Sequence, residues 1–502
     1  MVFSSIIFLY LYLPIVLLGY LLVARRLRNC FLLLASLVFY FWGENYLILI
    51  LLVTIVTDFT CGWLIAGQAA REGRVLAPGP RTRQQKLILV FSIMVNLGLL
   101  GYFKYCNFFL DNVMTFTNAM GWGSSGLLMF GKVALPLGIS FYTFQSMSYT
   151  IDVYRGEVRA TRRLLDFACY VTMFPQLVAG PIVRYRDLQD QLLNHELSID
   201  KFSIGVRRFV FGLAKKVLIA NTVAQVADAV FAVAPADLHC GIAWLGIICY
   251  SLQIYYDFSG YSDMAIGLGL MFGFRFPENF NYPYAATSIR EFWQRWHISL
   301  STWFRDYLYI PLGGSRGSLP RTGFNLLTVF LLCGFWHGAS WNFLVWGLWH
   351  GAFLFLERMG LGSVLTRLPR ICRHFYMLLT VTSGWVFFRS GSLDGAWHFL
   401  GVMFGLAAPA ANPAATPFAM LAYPSLLTAL GCGIVFAAPL LPWWLARYHT
   451  MRAAWLAAGT RVGRLWVGGA ESCGIAVIFL LLTASGMLLA TGSYNPFIYF
   501  RF

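Results

Sequence analysis

An all-α polytopic membrane protein is the fold class this sequence predicts, and three observations predict it. Of its 502 residues, 59% are hydrophobic and only 12% charged, about half the charged share of a soluble domain, which is roughly 25%. Apolar runs long enough to cross about 30 Å of hydrocarbon recur along the whole chain and divide it into about eleven to thirteen helices. Between them Arg and Lys gather in short clusters: Arg25/Arg26/Arg28, Arg71 to Lys86, Arg155 to Arg163, Lys201 to Lys216, Arg358 to Arg373 and Arg447 to Arg464. That is the positive-inside pattern of cytoplasmic loops. The net charge of +16 therefore reflects membrane topology and does not point to nucleic acid. No stretch is left for a soluble domain, so residues 1–502 are read as one integral-membrane domain.

The elements follow in order. The run Ile6 to Val23 leads into the first basic cluster, which places the N-terminus outside. It lacks a basic n-region and a small-residue cleavage site, so it is expected to be a retained anchor. The runs Phe31 to Phe41 and Tyr46 to Ala66, joined at Gly43-Glu-Asn, are expected to form a hairpin between two basic loops. Leu87 to Tyr105 and Val133 to Thr150 form a second. Phe174 to Pro181 carries two prolines and a glycine. Irregular backbone at membrane depth is tolerated only where protein or a water cavity satisfies it, so a re-entrant or broken helix is expected here. Ala407 to Pro417 reads as an uncharged surface loop on the outer side. Polar residues in apolar context concentrate between Leu135 and Trp349. The chemistry is therefore expected in residues 135–350, with 1–134 and 351–502 as wall. The ten cysteines are scattered singly without a CxxC pair, so neither a disulfide framework nor a metal site is expected. Internal repeats and inverted half-to-half symmetry are lacking, which weakens a transporter reading.

Three constellations carry candidate chemistry. His337 lies in Gly334-Phe-Trp-His337-Gly-Ala-Ser-Trp341, with Cys333 and Trp341 four residues either side on one helical face. A neutral imidazole suits a general base acting on a hydroxyl; a buried histidine bonded to a carbonyl explains the same pattern. His350 lies about 220° further round an ideal helix, so the two cannot share a metal, and it is read as structural. In Glu291 to Arg305, Glu291/Arg295 and His297/Ser301 are spaced i,i+4. Trp293, Trp296, Trp303 and Phe304 make this an aromatic segment suited to a membrane interface. One reading is a mouth that presents His297 to a tunnel and binds an anionic carrier through Arg305 or Arg316. The other is a belt helix with a solvated basic edge. In the third, Asp257 and Asp263 lie about 240° apart and form no dyad; they either bond neighbouring helices or line a wet cavity. Asp58, Gln145 and Asp152 are open to the same two readings. No nucleophile elbow, Walker loop, dinucleotide fingerprint or zinc motif is present.

At several stretches the chain resembles the bacterial membrane-bound O-acyltransferases of the alginate O-acetylation branch. They are Met1-Val-Phe-Ser-Ser, Leu135-Pro-Leu-Gly-Ile-Ser-Phe-Tyr-Thr-Phe, Ile151-Asp-Val-Tyr-Arg-Gly156 and Leu177-Val-Ala-Gly-Pro181. The others are Asp257 to Gly269, Glu291 to Trp303, Trp336-His-Gly-Ala and Asn495-Pro-Phe-Ile-Tyr-Phe500. The resemblance implies a ring of tilted transmembrane helices, with re-entrant and interfacial ones, around a thin centre crossed by a tunnel. It carries the essential histidine of the family to His337 and its second polar position to His297. Trp296, Ser301, Arg305, Trp336, Cys333, Trp341 and Asp257 become the expected lining of the substrate and donor tunnel. Implied too are acetyl-CoA as acetyl donor with no bound cofactor, a location in the bacterial inner membrane, and a periplasmic SGNH-type acetyltransferase partner. The acceptor would be an exported polysaccharide: alginate first, with cellulose and peptidoglycan close behind. D-alanyl transfer to teichoic acid from a carrier-protein thioester, transport through Asp257 and Asp263, and a scaffold role are the alternatives.

Overall fold

Inside a bilayer every backbone N–H and C=O must be paired within the protein, and helices achieve this segment by segment. The computed structural model describes residues 2–122, 132–194, 196–407, 423–492 and 494–496, and the regular elements among them are helices, apart from one isolated bridge between Val75 and Arg159. The first elements are α1 (Leu13–Leu22), α2 (Arg28–Glu44), α3 (Ile48–Ala66), α4 (Arg83–Leu100) and α5 (Cys106–Ala119). Next come α6 (Ile139–Arg155), α7 (Leu164–Thr172), α8 (Phe174–Leu177), α9 (Ile199–Ala214), α10 (Asn221–Phe231) and α11 (Cys240–Met271). Two short helices, α12 (Ile289–Arg295) and α13 (Ile298–Phe304), precede α14 (Leu319–His337) and α15 (Trp341–Leu356). The chain closes with α16 (Arg370–Arg389), α17 (Leu393–Met403), α18 (Pro424–Ala437), α19 (Leu440–Ala457) and α20 (Arg461–Ala490).

Four of the described helical stretches are long and apolar enough to cross a membrane alone: Arg25–Ala66, Arg83–Ala119, Ile199–Phe231 and Arg461–Ala490. A fifth candidate is the pair α18 and α19, bent by 63° at its break. The remaining apolar runs become shorter helices or carry too many polar side chains, because much of their surface faces protein instead of lipid. The break expected at Gly43-Glu-Asn falls at Asn45, at φ +47°.

Three expectations are corrected. The run from Leu87 does not end at Tyr105: α4 continues through a π turn at Gly101–Tyr105 into α5 and stops at Ala119. The next helix starts at Ile139 and not at Val133, since Pro136 and the left-handed Gly138 (φ +74°) hold the preceding loop out of helical geometry. The segment around His297 is not an interfacial belt. Trp293, Trp296, Trp303 and Phe304 are buried, and the pattern of large aromatics that suits an interface here fills the core. The loop expected at Ala407 to Pro417 lies, from residue 408 on, outside the described residues.

The broken helix at Phe174 to Pro181 is present. Met173 leaves helical geometry (ψ 108°), and residues 174–183 are fully enclosed by protein. Side chains replace the missing helical bonds: the Phe174 N–H donates to Ser36 Oγ at 3.1 Å, the Ile182 N–H to Ser299 Oγ at 3.0 Å, and the Tyr170 hydroxyl to the Val183 carbonyl at 2.9 Å. The two chain ends also meet, with Asn495 Nδ2 donating to the Ser4 carbonyl at 2.8 Å.

Helices α14 and α15 pack backbone to backbone. A Cβ on Gly334 would stand 2.1 Å from the Phe343 carbonyl oxygen, and one on Gly347 would stand 2.2 Å from that of Phe330. Small residues permit this approach in membrane proteins, where dispersion and polar contacts replace the hydrophobic drive. Gly334→Ala is therefore expected to overpack the pair at a cost of about 1–3 kcal/mol. The check is the unfolding temperature of the detergent-solubilised variant, and an unchanged value would contradict the close packing.

Candidate active site

Two imidazoles face each other in the interior, each at a helix end. His337 is the last residue of α14, because Gly338 turns to extended backbone (φ −169°, ψ 152°) and the chain restarts as α15 at Trp341. The face shared by Cys333, His337 and Trp341 is therefore not formed. Cys333 is buried one turn before His337, whereas Trp341 is 55% exposed and donates its indole N–H to Asn112 Oδ1 at 3.0 Å.

His297 sits between α12 and α13 in the left-handed region, at φ +44° and ψ 55°. For a residue other than glycine this costs about 1–3 kcal/mol and persists only where the surroundings dictate it. They do so here. The Asn281 N–H donates to the Arg295 carbonyl at 2.9 Å, and the Ile298 N–H to the Asn279 carbonyl at 2.9 Å. Asn279 Oδ1 accepts from Ser299 Oγ at 2.8 Å, and its Nδ2 donates to Ser262 Oγ at 2.9 Å. The ring lies near His337, with ring centroids 6.5 Å apart. That is too far for a direct hydrogen bond and leaves room for a small group between the rings.

Both rings are enclosed by aromatics. His297 lies 4.6 Å from Phe258 and 6.0 Å from Trp336; His337 lies 4.9 Å from Trp336, 5.0 Å from Trp346 and 5.2 Å from Phe388. Neither His297 nitrogen, nor Nδ1 of His337, has a hydrogen-bond partner among the described residues. Buried polar atoms are nearly always bonded; these nitrogens keep their bonding capacity for a reacting group, and both nitrogens of His350 further off are likewise unpaired among the described residues. A cavity of about 200 Å³ reaches His337, lined by Trp336, Lys104, Glu44, the loop from Leu135 to Gly138 and the start of α6 through Phe141.

Lys104 was not among the sequence candidates. It lies on the π turn between α4 and α5, an irregularity common at functional sites. Its ammonium donates to the carbonyls of Trp336 and His337 and, at 3.1 Å, to Ser140 Oγ. The neighbouring Tyr105 donates its hydroxyl to the Phe335 carbonyl at 2.9 Å. Together they satisfy three successive carbonyls at the end of α14, where the helix leaves them orphaned and a cation is favoured. A lone lysine inside the apolar run Leu87 to Tyr105 was the available signal, since membrane-embedded charges are costly and kept for a purpose.

The other expected residues scatter. Trp336 lines the cavity beside His337. Trp296 is buried against Trp385, 5.0 Å away. Ser301 donates its N–H to the His297 carbonyl at 3.0 Å. Arg305 points outward and pairs with Asp306 at 2.7 Å, a carboxylate that also binds Arg184 and Arg186. Asp257 forms a buried pair with Lys216 at 2.7 Å, and Asp263 pairs with Arg208 and Lys215; both join α11 to the α9 segment. Asp58 accepts from Ser92, Asn96 and Ser146, and Asp152 from Tyr307 at 2.8 Å. Gln145 has both amide atoms buried without a partner among the described residues. His350 is buried between Trp293 and Trp346, away from the facing pair. No group of three metal-ligating side chains occurs among the described residues.

Comparison with known proteins fixes the class. The model of the membrane-bound O-acyltransferase family matches residues 157–379. Over its whole length the chain is 42% identical to the probable alginate O-acetylase AlgI of Azotobacter vinelandii, 100% of each being covered. The chain belongs to the membrane-bound O-acyltransferase family. It is 36% identical to the peptidoglycan O-acetyltransferase of Helicobacter pylori over 81% of this chain and 80% of that one. With the teichoic acid D-alanyltransferase of Bacillus subtilis it shares 31% identity over 41% of this chain and 54% of that one. The protein is thus a multi-pass membrane O-acyltransferase, which sets aside the transport and scaffold readings.

Lys104→Met should leave buried carbonyls at the end of α14 unpaired, each costing about 1–3 kcal/mol. A lowered unfolding temperature together with lost acyl transfer is the expected result, with partial recovery in Lys104→Arg. Wild-type behaviour of the methionine variant would remove Lys104 from the support of His337.

Proposed function

We propose that this protein passes an acetyl group from a cytoplasmic thioester, acetyl-CoA, across the bacterial inner membrane for O-acetylation of an exported polysaccharide. The buried pair His297 and His337, with a cavity that reaches His337, is the observation that carries this reading. Acetyl transfer is favoured over D-alanyl transfer because the acetylating relatives align over far more of the chain. The same alignment makes alginate the first acceptor to test and peptidoglycan the second.

The positive-inside pattern places the basic starts of α2 and α4 in the cytoplasm and the N-terminus outside. Glu44 and Lys104 then lie toward the outer face, and the cavity they line is the acceptor's approach to His337. In this reading His337 takes the proton of an attacking hydroxyl as its oxygen adds to the thioester carbonyl. His297, donating from a ring nitrogen, stabilises the oxyanion; collapse breaks the C–S bond, and the departing thiolate takes the proton that His337 accepted, which returns the imidazole to its neutral form. General-base catalysis contributes about 10²–10⁴-fold, and one oxyanion donor about 10²–10³-fold. A periplasmic SGNH-type acetyltransferase would complete delivery to the polymer.

The test is ester-linked acetate on isolated exopolysaccharide and cell wall from a deletion strain. Wild type should restore it; His337→Ala, at equal membrane abundance, should restore less than a hundredth, and His297→Ala little more. Full restoration by His337→Ala would overturn the assignment.

A second measurement separates base from scaffold. His337→Gln keeps a polar side chain but removes the basic nitrogen, so it should fold with wild-type unfolding temperature and still fail to transfer acetate. Transfer within threefold of wild type would contradict the general-base role.

A further inference from the structure

His350 is a further buried imidazole, and the proposed reaction does not use it. Its side chain is wholly enclosed. Trp293 lies 5.1 Å and Trp346 5.2 Å from it, centroid to centroid, and Phe292 stacks on it at 6.5 Å. Helix α16 bears on the ring as well: a Cβ on Gly384 would stand 2.8 Å from Nε2. Helices α12, α15 and α16 thus hold the ring in one place.

Neither nitrogen of His350 has a hydrogen-bond partner among the described residues, and the same is true of Nε1 in Trp293 and in Trp346. The two tryptophans also touch each other, at 5.6 Å. Three mutually touching side chains therefore bring together four polar atoms that no described residue bonds. Leaving such a group unbonded costs about 1–3 kcal/mol, whereas a phenyl ring would fill the space of the imidazole without that cost. Contacts between N–H groups and ring faces are second-order, and they leave the lone pair of a neutral imidazole without a donor.

The chemistry of these atoms selects what bonds them. A neutral imidazole offers an N–H and a lone pair, and an indole offers an N–H alone. Clustered donors repel a cation, and no group of three metal-ligating side chains occurs among the described residues. An anion would meet no cation among the rings that enclose the site. Water both donates and accepts, and a buried water makes about three hydrogen bonds to groups that otherwise lack them.

We propose that a bound water links His350 to the indole N–H of Trp346, and that His350 is thereby a positioning residue for His337. Trp346 is the neighbour they share: its ring stands 71° to His350 and 85° to His337, with centroids 5.2 Å and 5.0 Å away. The water holds the indole in its plane, and the indole is one wall of the His337 ring, beside Trp336 and Phe388. None of His350, Trp293 and Trp346 lines the cavity that reaches His337, so the water is separate from the acceptor's approach. The positioning role rests on the general-base reading of His337; the bound water does not.

Wild type, His350→Phe and His350→Gln are purified at full length in detergent for high-resolution structures and unfolding temperatures. Each is also assayed for ester-linked acetate in the complemented deletion strain, at equal membrane abundance. The wild-type map should show a water within about 3.2 Å of a His350 nitrogen and of Trp346 Nε1. His350→Phe keeps the ring shape and removes its polar atoms. It should hold the wild-type unfolding temperature and lose acetate by about tenfold to a hundredfold, the scale of a misplaced reacting group. His350→Gln, which still bonds the water, should come within threefold of wild type. Where His350→Phe fails to fold, Trp346→Phe, which lacks the indole N–H, takes its place with the same expected loss. No water at that point, acetate within threefold of wild type in the phenylalanine variant, or an equal loss in His350→Gln would each overturn the proposal. Acetate missing with wild type would refute the acyl-transfer reading and the positioning role with it, while the map would still decide the water.

Discussion

The end of α14 is the point on which the site depends. A helix that stops inside a membrane protein exposes carbonyls where no water can bond them, yet it must stop there to put His337 at its tip. Lys104 and Tyr105, from a π turn on a separate helix, bond the carbonyls of Phe335, Trp336 and His337. The glycine contact between α14 and α15 fixes the angle at which the chain leaves. One cation thus makes a buried helix terminus tolerable, and the cavity opens beside it.

His297 is held by a different device with the same result. Its left-handed backbone is fastened by the 279–281 loop on one side and by the broken segment after α8 on the other, through Asn279 and Ser299. Both histidines therefore stand on irregular backbone whose polar groups are satisfied by side chains from distant parts of the chain. This is the arrangement expected where a site is pre-organised at membrane depth: the irregular backbone that carries the two histidines is bonded by side chains. The ion pairs of Asp257 and Asp263 serve the framework by joining α11 to the α9 segment.

Much of this was legible in the residues. The composition and the basic clusters foretold a helical membrane protein, the prolines at 175 and 181 foretold the broken segment, and His297 and His337 stood out as titratable groups in apolar surroundings. The contributions of Lys104, Glu44, Asn279 and Phe141 were not legible, because no helical spacing links them to the histidines and each owes its role to packing. The region from 135 to 350 supplies both histidines, but Lys104 and Glu44 reach the cavity from earlier helices. Helical spacing misled at Trp341, since the pattern continues past His337 while the helix does not. It misled also at the tryptophans around His297, since aromatic residues suit an interface and a core equally well.

By itself the sequence determined the class of solvent this protein lives in, the positions where helices must break, and the two imidazoles placed where burial is costly. Those follow from local chemistry: transfer of side chains to lipid, proline's missing N–H, and the cost of polar groups in hydrocarbon. Only the tertiary structure decided that the two imidazoles face one another, that a lysine from another helix holds one of them, and which carboxylates are framework. Those outcomes depend on which helix lies beside which. That is set by the summed packing of many side chains and close glycine contacts, and no periodicity along a single segment encodes it.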